Sequence, residues 1–256
     1  MTKYYWTLCW ICALLGVSAQ ESGWLTTYNT FGHDAILLME DGHTVRGRCL
    51  SHFLTKEITD FTMDGAHVWH GDGLLWQANH TGFSAFGTME FRLGYGRRFG
   101  QHLAVMLRGC YLWRHARHYE GTHSFTIDLS IAYQMNRKLL FAISLYNPIR
   151  MKYGITGNEV IPMTFDFRMC YRAGKQVWMD IILHKRLPSG FEAGGGVFYK
   201  PNKTLSFQLT GSNLRCSLGV MVGWGSWRLQ LFSDWYYRTG ITPGIDLWYH
   251  QTAHSL

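Results

Sequence analysis

The chain has 256 residues, is rich in aromatic side chains (11 Trp, 14 Tyr and 15 Phe), has only 5 Pro and carries a formal net charge of +7 at pH 7. This length suits one large β domain, and beyond the N-terminal segment no stretch is apolar enough for a membrane-spanning helix. The basic excess alone is compatible with nucleic-acid binding. An exported chain rarely meets nucleic acid, so we interpret the excess as turn and loop charge facing anionic lipid head groups.

The first nineteen residues have the pattern of a secretory signal. Lys3 is the only charged residue of this segment, an apolar run follows from Tyr4 to Val17, and small residues precede a cleavage point after Ala19. The run is shorter than the ~20 apolar residues of a comfortable membrane anchor, which is the alternative. We therefore predict a signal peptide at 1–19 and a single mature domain at 20–256.

From residue 87 onward, apolar and polar residues alternate with a period of two. In 125–134 the odd positions are large and apolar, from Phe125 to Tyr133, and the even positions are polar or small; 88–96 and 163–172 are similar. Each segment therefore predicts a strand with one apolar and one polar face. The pattern continues, more weakly, through 103–113, 139–145, 177–185, 191–199, 204–211, 216–224, 227–237 and 241–249. Lengths of about 9–11 residues are typical of tilted membrane strands rather than of soluble sandwiches.

The connections between these strands alternate in length. The short turns are Phe99-Gly100, Asn136-Arg137, Ala173-Gly174, Pro201-Asn202 and Gly225-Ser226. The longer loops fall between them at 115–122, 147–160, 186–190 and 238–241, while 212–214 is short. Short turns on one side and longer loops on the other are typical of outer-membrane barrels, and the short side would face the periplasm.

Residues 20–86 are less regular. Asp41-Gly42 lies between Ala35–Glu40 and His43–Cys49, and Asp72-Gly73 lies between Gly65–His70 and Leu74–Asn79, so both predict tight hairpins. With these four strands the total is about 13–15, and an even number is expected for a closed bacterial barrel. We predict an all-β, antiparallel up-and-down transmembrane barrel of about 14 strands, with residues 20–34 as a candidate lumenal segment.

An aromatic residue on the apolar face recurs near the end of each strand that enters a short turn. Aromatic rings at strand ends suit the boundary between acyl chains and head groups, although ordinary core aromatics are the alternative. The predicted lipid-interface aromatics are Tyr95, Tyr133, Tyr171, Tyr199, Trp224 and Tyr249.

Charged residues of both signs recur on the polar face, which in a barrel would point inward, because a charge facing lipid is costly. The lumenal candidates are Glu90, Arg92, Arg108, Asp128, Asp166, Arg168, Asp180 and Asp234, with Arg172, Glu192, Arg228 and Asp246 of the same kind. Neighbouring strands could pair Arg108 with Asp128 and Arg168 with Asp180. Such charges could line a pore or fill the lumen with ion pairs, and both alternatives stay open.

The residue patterns give little support to metal binding, catalysis or disulfide formation. The spacing of His115, His118 and His123 matches no known zinc motif, and there is no nucleophile motif of the hydrolase kind. Four cysteines of the mature chain lie in predicted strands without metal-type spacing, and unpaired thiols are expected over disulfides: Cys49, Cys110, Cys170 and Cys216. We therefore expect no catalytic residue, metal or cofactor.

Two hairpin runs carry a family resemblance: LGYGRRFGQHLAVML and SFTIDLSIAYQMNRKLLFAISLYNPIR. They resemble the PorV/PorQ proteins, relatives of the FadL-type outer-membrane barrels, over residues 60–250. The resemblance implies a fourteen-stranded barrel in passive uptake of hydrophobic compounds or in type IX secretion, with Asn147 and Pro148 as structural positions. The mature chain is shorter than FadL proteins, which argues against a gated fatty-acid channel. It also ends in a polar tail instead of the terminal aromatic residue that assembly machinery usually reads.

We therefore predict a non-enzymatic outer-membrane barrel with a transport or secretion-associated role. Its expected partners are outer-membrane lipid and secretion-system or periplasmic proteins, not nucleic acid. An outer-membrane lipid-modifying enzyme is the main alternative, and a soluble β-sandwich binding module is the third.

Overall fold

The computed structural model describes residues 34–54, 59–83, 85–117, 119–153, 159–188 and 190–252. The predicted signal peptide and all but the last residue of the 20–34 segment lie outside this part of the chain. Within it, a short helix α1 (Asp34–Leu37) precedes fourteen strands. These are β1 (Gly42–Ser51), β2 (Thr59–Trp69), β3 (Asp72–Phe83), β4 (Phe86–Phe99), β5 (Leu103–Ala116), β6 (Tyr119–Asn136), β7 (Leu139–Tyr146), β8 (Met163–Arg172), β9 (Val177–Leu187), β10 (Phe191–Tyr199), β11 (Leu205–Ser212), β12 (Arg215–Trp224), β13 (Trp227–Tyr236) and β14 (Gly240–Thr252).

The strands form a closed, antiparallel, up-and-down barrel, which confirms the predicted fold class and strand number. Each strand pairs with its sequence neighbours, and β1 closes the barrel against β14, with Gly42 opposite Thr252 and Leu50 opposite Gly244. Closure leaves no unpaired sheet edge, which is the condition for strands to cross a bilayer. No helix among the described residues is long and apolar enough to span a membrane.

The N-terminal part differs from the prediction. Residues Ala35–Glu40 do not form a strand, because helix α1 and the turn that follows it occupy this segment. The residues buried there, at 35, 36, 38 and 39, follow a helical rather than an alternating spacing. The second predicted hairpin exists, but its turn is His70-Gly71, where both residues have positive φ (51° and 85°). Asp72 and Gly73 already belong to β3.

The connections define two ends of the barrel. One end, which we call the turn end, carries the five predicted short turns, the His70-Gly71 turn and α1. The opposite end is the loop end. The predicted loop at 115–122 is wrong, because β5 and β6 continue as a ladder to Ala116 and Tyr119. The predicted loops at 186–190 and 238–241 shorten to 188–190 and 237–239. The loop end instead has two long connections, 52–58 and 147–162.

The two faces of the sheet differ in composition. The outward face carries exposed apolar side chains along the strands, such as Leu93, Leu107 and Leu218. The inward face divides into an apolar layer at the turn end and a charged layer above it. None of the four cysteines among the described residues forms a disulfide, and each lies in a strand.

Candidate functional site in the barrel lumen

The charged residues selected from the sequence lie on the inward face. Six of the eight candidates are buried: Arg108, Asp128, Asp166, Arg168, Asp180 and Asp234. Glu90 and Arg92 are half-buried and form an ion pair at 2.9 Å. They lie on one side of the lumen, where Arg92 also approaches Asp128 at 3.4 Å and donates to the side chain of Gln77.

Both ion pairs expected from strand adjacency are present. A guanidinium nitrogen of Arg108 lies 3.5 Å from the Asp128 carboxylate, and one of Arg168 lies 3.5 Å from Asp180. The side chains of each pair are nearly inaccessible to solvent. The Tyr146 ring lies under the guanidinium groups of both Arg92 and Arg108, with centroid distances of 5.8 and 5.5 Å. The side of the lumen around Arg92, Arg108 and Tyr146 is therefore filled by paired charges.

Sequence reasoning missed a second group of lumenal charges. Arg46 donates to Asp64 at 2.6 and 2.8 Å, and Arg48 forms a two-bond pair with Asp246 at 2.8 and 2.9 Å. Asp246 had been identified as inward-facing, but its partner lies 198 residues away and meets it only because the barrel closes between β1 and β14. The signal was the alternation of Thr44, Arg46 and Arg48 along β1.

Helix α1 and the residues after it close part of the turn end from inside. Leu38 is fully buried against the inward positions of Gly73 and Gly96, where an added Cβ would come within 2.4 Å of its methyl groups. Arg98 donates to the carbonyl of Met39 at 2.6 Å and to the Asp41 carboxylate at 2.9 Å. We call residues 34–41 the plug segment. Gly73 and Gly96 leave room for its Leu38 side chain, and hydrogen bonds from Arg98 hold it in place.

The described parts of the long connection 147–162 fold inward at the loop end. Asn147, which has a positive φ of 49°, donates to the carbonyl of Ile161 and accepts from the backbone N–H of Met151. Ile161 is buried beside Cys110 and Leu112 of β5. Asn147 is therefore a structural residue, as the resemblance implied. The described parts of this connection cover the β5 side of the lumen, which leaves the β8–β13 side less filled.

A cavity of about 190 Å³ lies on that side, towards the loop end. Its lining includes the backbone of Gly194, Gly195 and Gly211 and the side chains of Asp166, His184, Glu192, Thr210, Arg215 and Tyr236. His184 lies opposite Asp166 on one side and Glu192 on the other, with its Nδ1 2.5 Å from Asp166 Oδ1. Arg215 reaches Glu192 at 3.3 Å and Asp234 at 3.0 Å. His184 and Arg215 thus alternate with the carboxylates of Asp166, Glu192 and Asp234 along this wall.

Below this cavity the wall carries two glutamines, apolar residues and Lys200. Gln230 donates to the side chain of Gln208 at 2.8 Å, and a smaller space of about 20 Å³ lies beside them, bordered by Phe198, Gly219 and Met221. The lumen on this side is therefore polar beside the cavity, mixed polar and apolar below it, and narrower towards the turn end.

The six aromatics selected from the sequence lie on the outward face near the turn end. Tyr95, Tyr133, Tyr171, Tyr199 and Trp224 are exposed, and Tyr249 is half-buried. Contact of these rings with lipid stays a prediction. Tyr95 donates to Asp72 at 2.5 Å, and Tyr249 lies against Trp227 with a centroid distance of 5.0 Å.

The arrangement of the described side chains bears on two alternatives, metal binding and hydrolysis. Within the described residues, no group of three His, Cys, Asp or Glu side chains is arranged to hold a metal ion; His118 lies outside them. The His184–Asp166 pair shares a cavity with Ser212, but the Ser212 hydroxyl accepts from the backbone N–H groups of Leu214 and Arg215. That hydroxyl caps the turn between β11 and β12 and is engaged there.

No protein-family model matches the chain. No curated protein sequence matches it either. Solved structures do match. The Pseudomonas putida toluene transporter TodX is similar at a TM-score of 0.61 and 9% identity, over 91% of this chain and 95% of that chain. The CymD monoaromatic hydrocarbon channel gives 0.59 and 9%, over 88% and 94%. Omp33 of Acinetobacter baumannii gives 0.53 and 8%, over 82% and 98%.

The chain has the fold of outer-membrane β-barrel channels. At identities this low, the likeness concerns the fold of the barrel and not its cargo. The finer resemblance to PorV/PorQ proteins stays a prediction.

Proposed function

We propose that this protein resides in the outer membrane and is a passive channel for small polar solutes. The observation that carries the proposal is the cavity of about 190 Å³ inside the barrel, lined by alternating cationic, acidic and neutral polar groups. A filler role alone would be met by tight ion pairs, as on the Arg108 side, and would not leave such a space. The channel fold of the similar structures supports the same proposal.

The proposed route follows the β9–β13 wall. Several inward positions there are small or uncharged: Gly194, Gly196, Thr210, Ser217 and Gly219. The opposite side is blocked by the plug segment at the turn end and by the connection 147–162 at the loop end. A solute would enter beside His184 and Arg215 and pass Gln208 and Gln230, whose flexible side chains border the narrowest part.

A matched pair of substitutions on β11 tests the proposal. Thr210 lines the cavity, whereas Leu209 points outward and is 58% exposed. Purified wild-type protein in liposomes should cause swelling with small amino acids and sugars. Thr210→Trp should strongly slow the swelling by filling the cavity, and Leu209→Trp should leave it unchanged. Equal rates for both variants, or no swelling with the wild type, would overturn the proposal.

A secretion-associated role would require a surface that binds other proteins. The proposed channel function needs no such surface. The lipid-modifying enzyme would require an activated nucleophile oriented by a base, and the hydroxyl beside His184 is held in a turn. In the same liposomes, Ser212→Ala should leave phospholipid composition unchanged. A hydrolase activity lost in that variant would favour the enzyme.

A further inference from the structure

Four rings form a continuous surface on the outward face of β5 and β6, near the loop end. We call Tyr111, Trp113, His115 and His123 the ring platform. Trp113 and His123 are directly opposite in the ladder, and their rings are nearly parallel, with an interplanar angle of 10° and centroids 6.3 Å apart. His123 also stacks on Tyr111, and Trp113 lies 5.2 Å from His115.

Glycines let these rings lie down on the sheet. A Cβ added to Gly121 would come within 2.7 Å of Trp113 Nε1, and one added to Gly87 would come within 2.6 Å of the His115 ring. Just below, Phe125 covers Gly109 in the same way, at 2.8 Å. A ring that occupies the place of a neighbouring Cβ lies along the backbone. The interplanar angles of the neighbouring ring pairs, 10°, 27° and 33°, keep the platform rings close to parallel.

Hydrogen bonding directs the imidazoles outward. The Tyr111 hydroxyl lies 2.6 Å from His123 Nδ1; with the phenol as donor, the proton of neutral His123 lies on Nε2. His115 Nδ1 is buried and has no hydrogen-bond partner among the described residues, so its hydrogen bonding falls to Nε2. Arg117, exposed at the tip of the same hairpin, adds a cation. The platform thus combines ring faces with N–H donors.

Apart from Tyr111, the platform lies above the ordinary apolar band. Phe91, Tyr111 and Phe125 form one row across β4–β6, and Trp113 and His123 lie one row nearer the loop end, about 6–7 Å higher. On the β3–β4 side this row continues through Met89 to His80. Imidazoles at this height suit the head-group layer rather than the acyl chains, where a polar nitrogen without a partner is costly.

We propose that the ring platform binds the phosphorylated sugar head group of an outer-leaflet glycolipid. A sugar ring would pack on the faces of Trp113 and His123, and a phosphate would accept from Nε2 of His123 and His115 and from Arg117. The inference rests on the proposed outer-membrane residence but not on an open lumen. A phospholipid offers a phosphate without a sugar ring and would use half of the surface.

The test uses purified lipid A as the probe and phosphatidylethanolamine as the comparison lipid. Binding is measured by native mass spectrometry of the refolded full-length protein. Trp113→Leu should reduce lipid A retention by about tenfold or more, the loss of one buried hot-spot contact. The matched control is Trp235→Leu, since Trp235 is an outward, 59% exposed tryptophan at the loop end of β13; it should retain lipid A like the wild type.

A second variant separates the two kinds of contact. His123→Phe keeps a ring of similar size and removes the N–H donor, so it should weaken binding of lipid A more than binding of its dephosphorylated form. Equal retention in wild type, Trp113→Leu and Trp235→Leu, or equal affinity for lipid A and phosphatidylethanolamine, would overturn the proposal. Liposome swelling should be unchanged in these variants, so failure of the channel and failure of the lipid site are distinguished.

Discussion

At the scale of single residues, the lumen is organised by the cost of burying charge. Arg168 and Asp180 are almost inaccessible, and a buried ion without a partner is several kcal/mol less stable than a hydrated one. Pairing across adjacent strands removes most of that cost. The same reasoning applies to Arg48 and Asp246, whose pairing joins the first strand to the last.

The Arg168–Asp180 pair gives a prediction for stability. Arg168→Met should lower the free energy of unfolding by about 3–5 kcal/mol, because it leaves the Asp180 carboxylate buried without its partner. The double variant Arg168→Met/Asp180→Leu should recover most of the loss. Urea unfolding in lipid vesicles measures both. A double variant as unstable as the single one would contradict this account of the lumen.

Residue pairs differ in how far sequence can predict them. Arg108–Asp128 and Arg168–Asp180 lie in hairpins, so the turn between two strands determines which inward positions meet. Arg48–Asp246 depends on closure of the barrel, which no local pattern encodes. The cavity beside His184 could not be predicted, because it depends on which side of the lumen the plug segment and the connection 147–162 occupy.

At the scale of elements, the plug segment is the part of the chain that the sequence pattern wrongly assigned to a strand. Its apolar run from Ala35 to Met39 seemed to extend the strand pattern, but four of these five residues are buried within the lumen, where α1 contacts β5 and β6. Inward glycines in the hairpins were a second signal. Gly73 and Gly96 lie opposite one another across β3 and β4, and together they receive Leu38.

Larger side chains at Gly73 and Gly96 should displace the plug segment. In Gly73→Val/Gly96→Val, new side chains would collide with Leu38, and at Gly96 also with the carbonyl of Val105, 2.9 Å from the added Cβ. We expect a larger single-channel conductance and proteolysis within 34–41. Gly47→Val is the control, because nothing lies within 4 Å of its added Cβ. Equal conductance in the two variants would show that the segment does not restrict the lumen.

The strand faces give a second prediction at this scale. Phe167 points outward near the middle of β8, between Ile143 and Leu183. Phe167→Arg should cost about 2–4 kcal/mol in lipid vesicles, because it places a charge against acyl chains. Thr164→Arg, on the inward face of the same strand, should be milder. If the inward substitution is the more damaging, the outward face does not contact lipid.

At the scale of the whole molecule, fold and function were predictable to different degrees. Period-two alternation, strand length and short turns were enough for a closed barrel of fourteen strands, because a bilayer demands that every strand be paired. Whether the lumen is filled or open depends on side-chain packing between distant strands. Both alternatives occur here: the Arg108 side is filled, and the His184 side contains the cavity.

The central claim is that the lumen conducts, and single-channel recording of the refolded protein in a planar bilayer tests it most directly. We predict discrete, small conductance steps in the wild type. Thr210→Trp should reduce the step size, and Leu209→Trp should not, because only the former side chain enters the cavity. A correctly folded wild-type barrel that inserts and gives no steps would contradict the account.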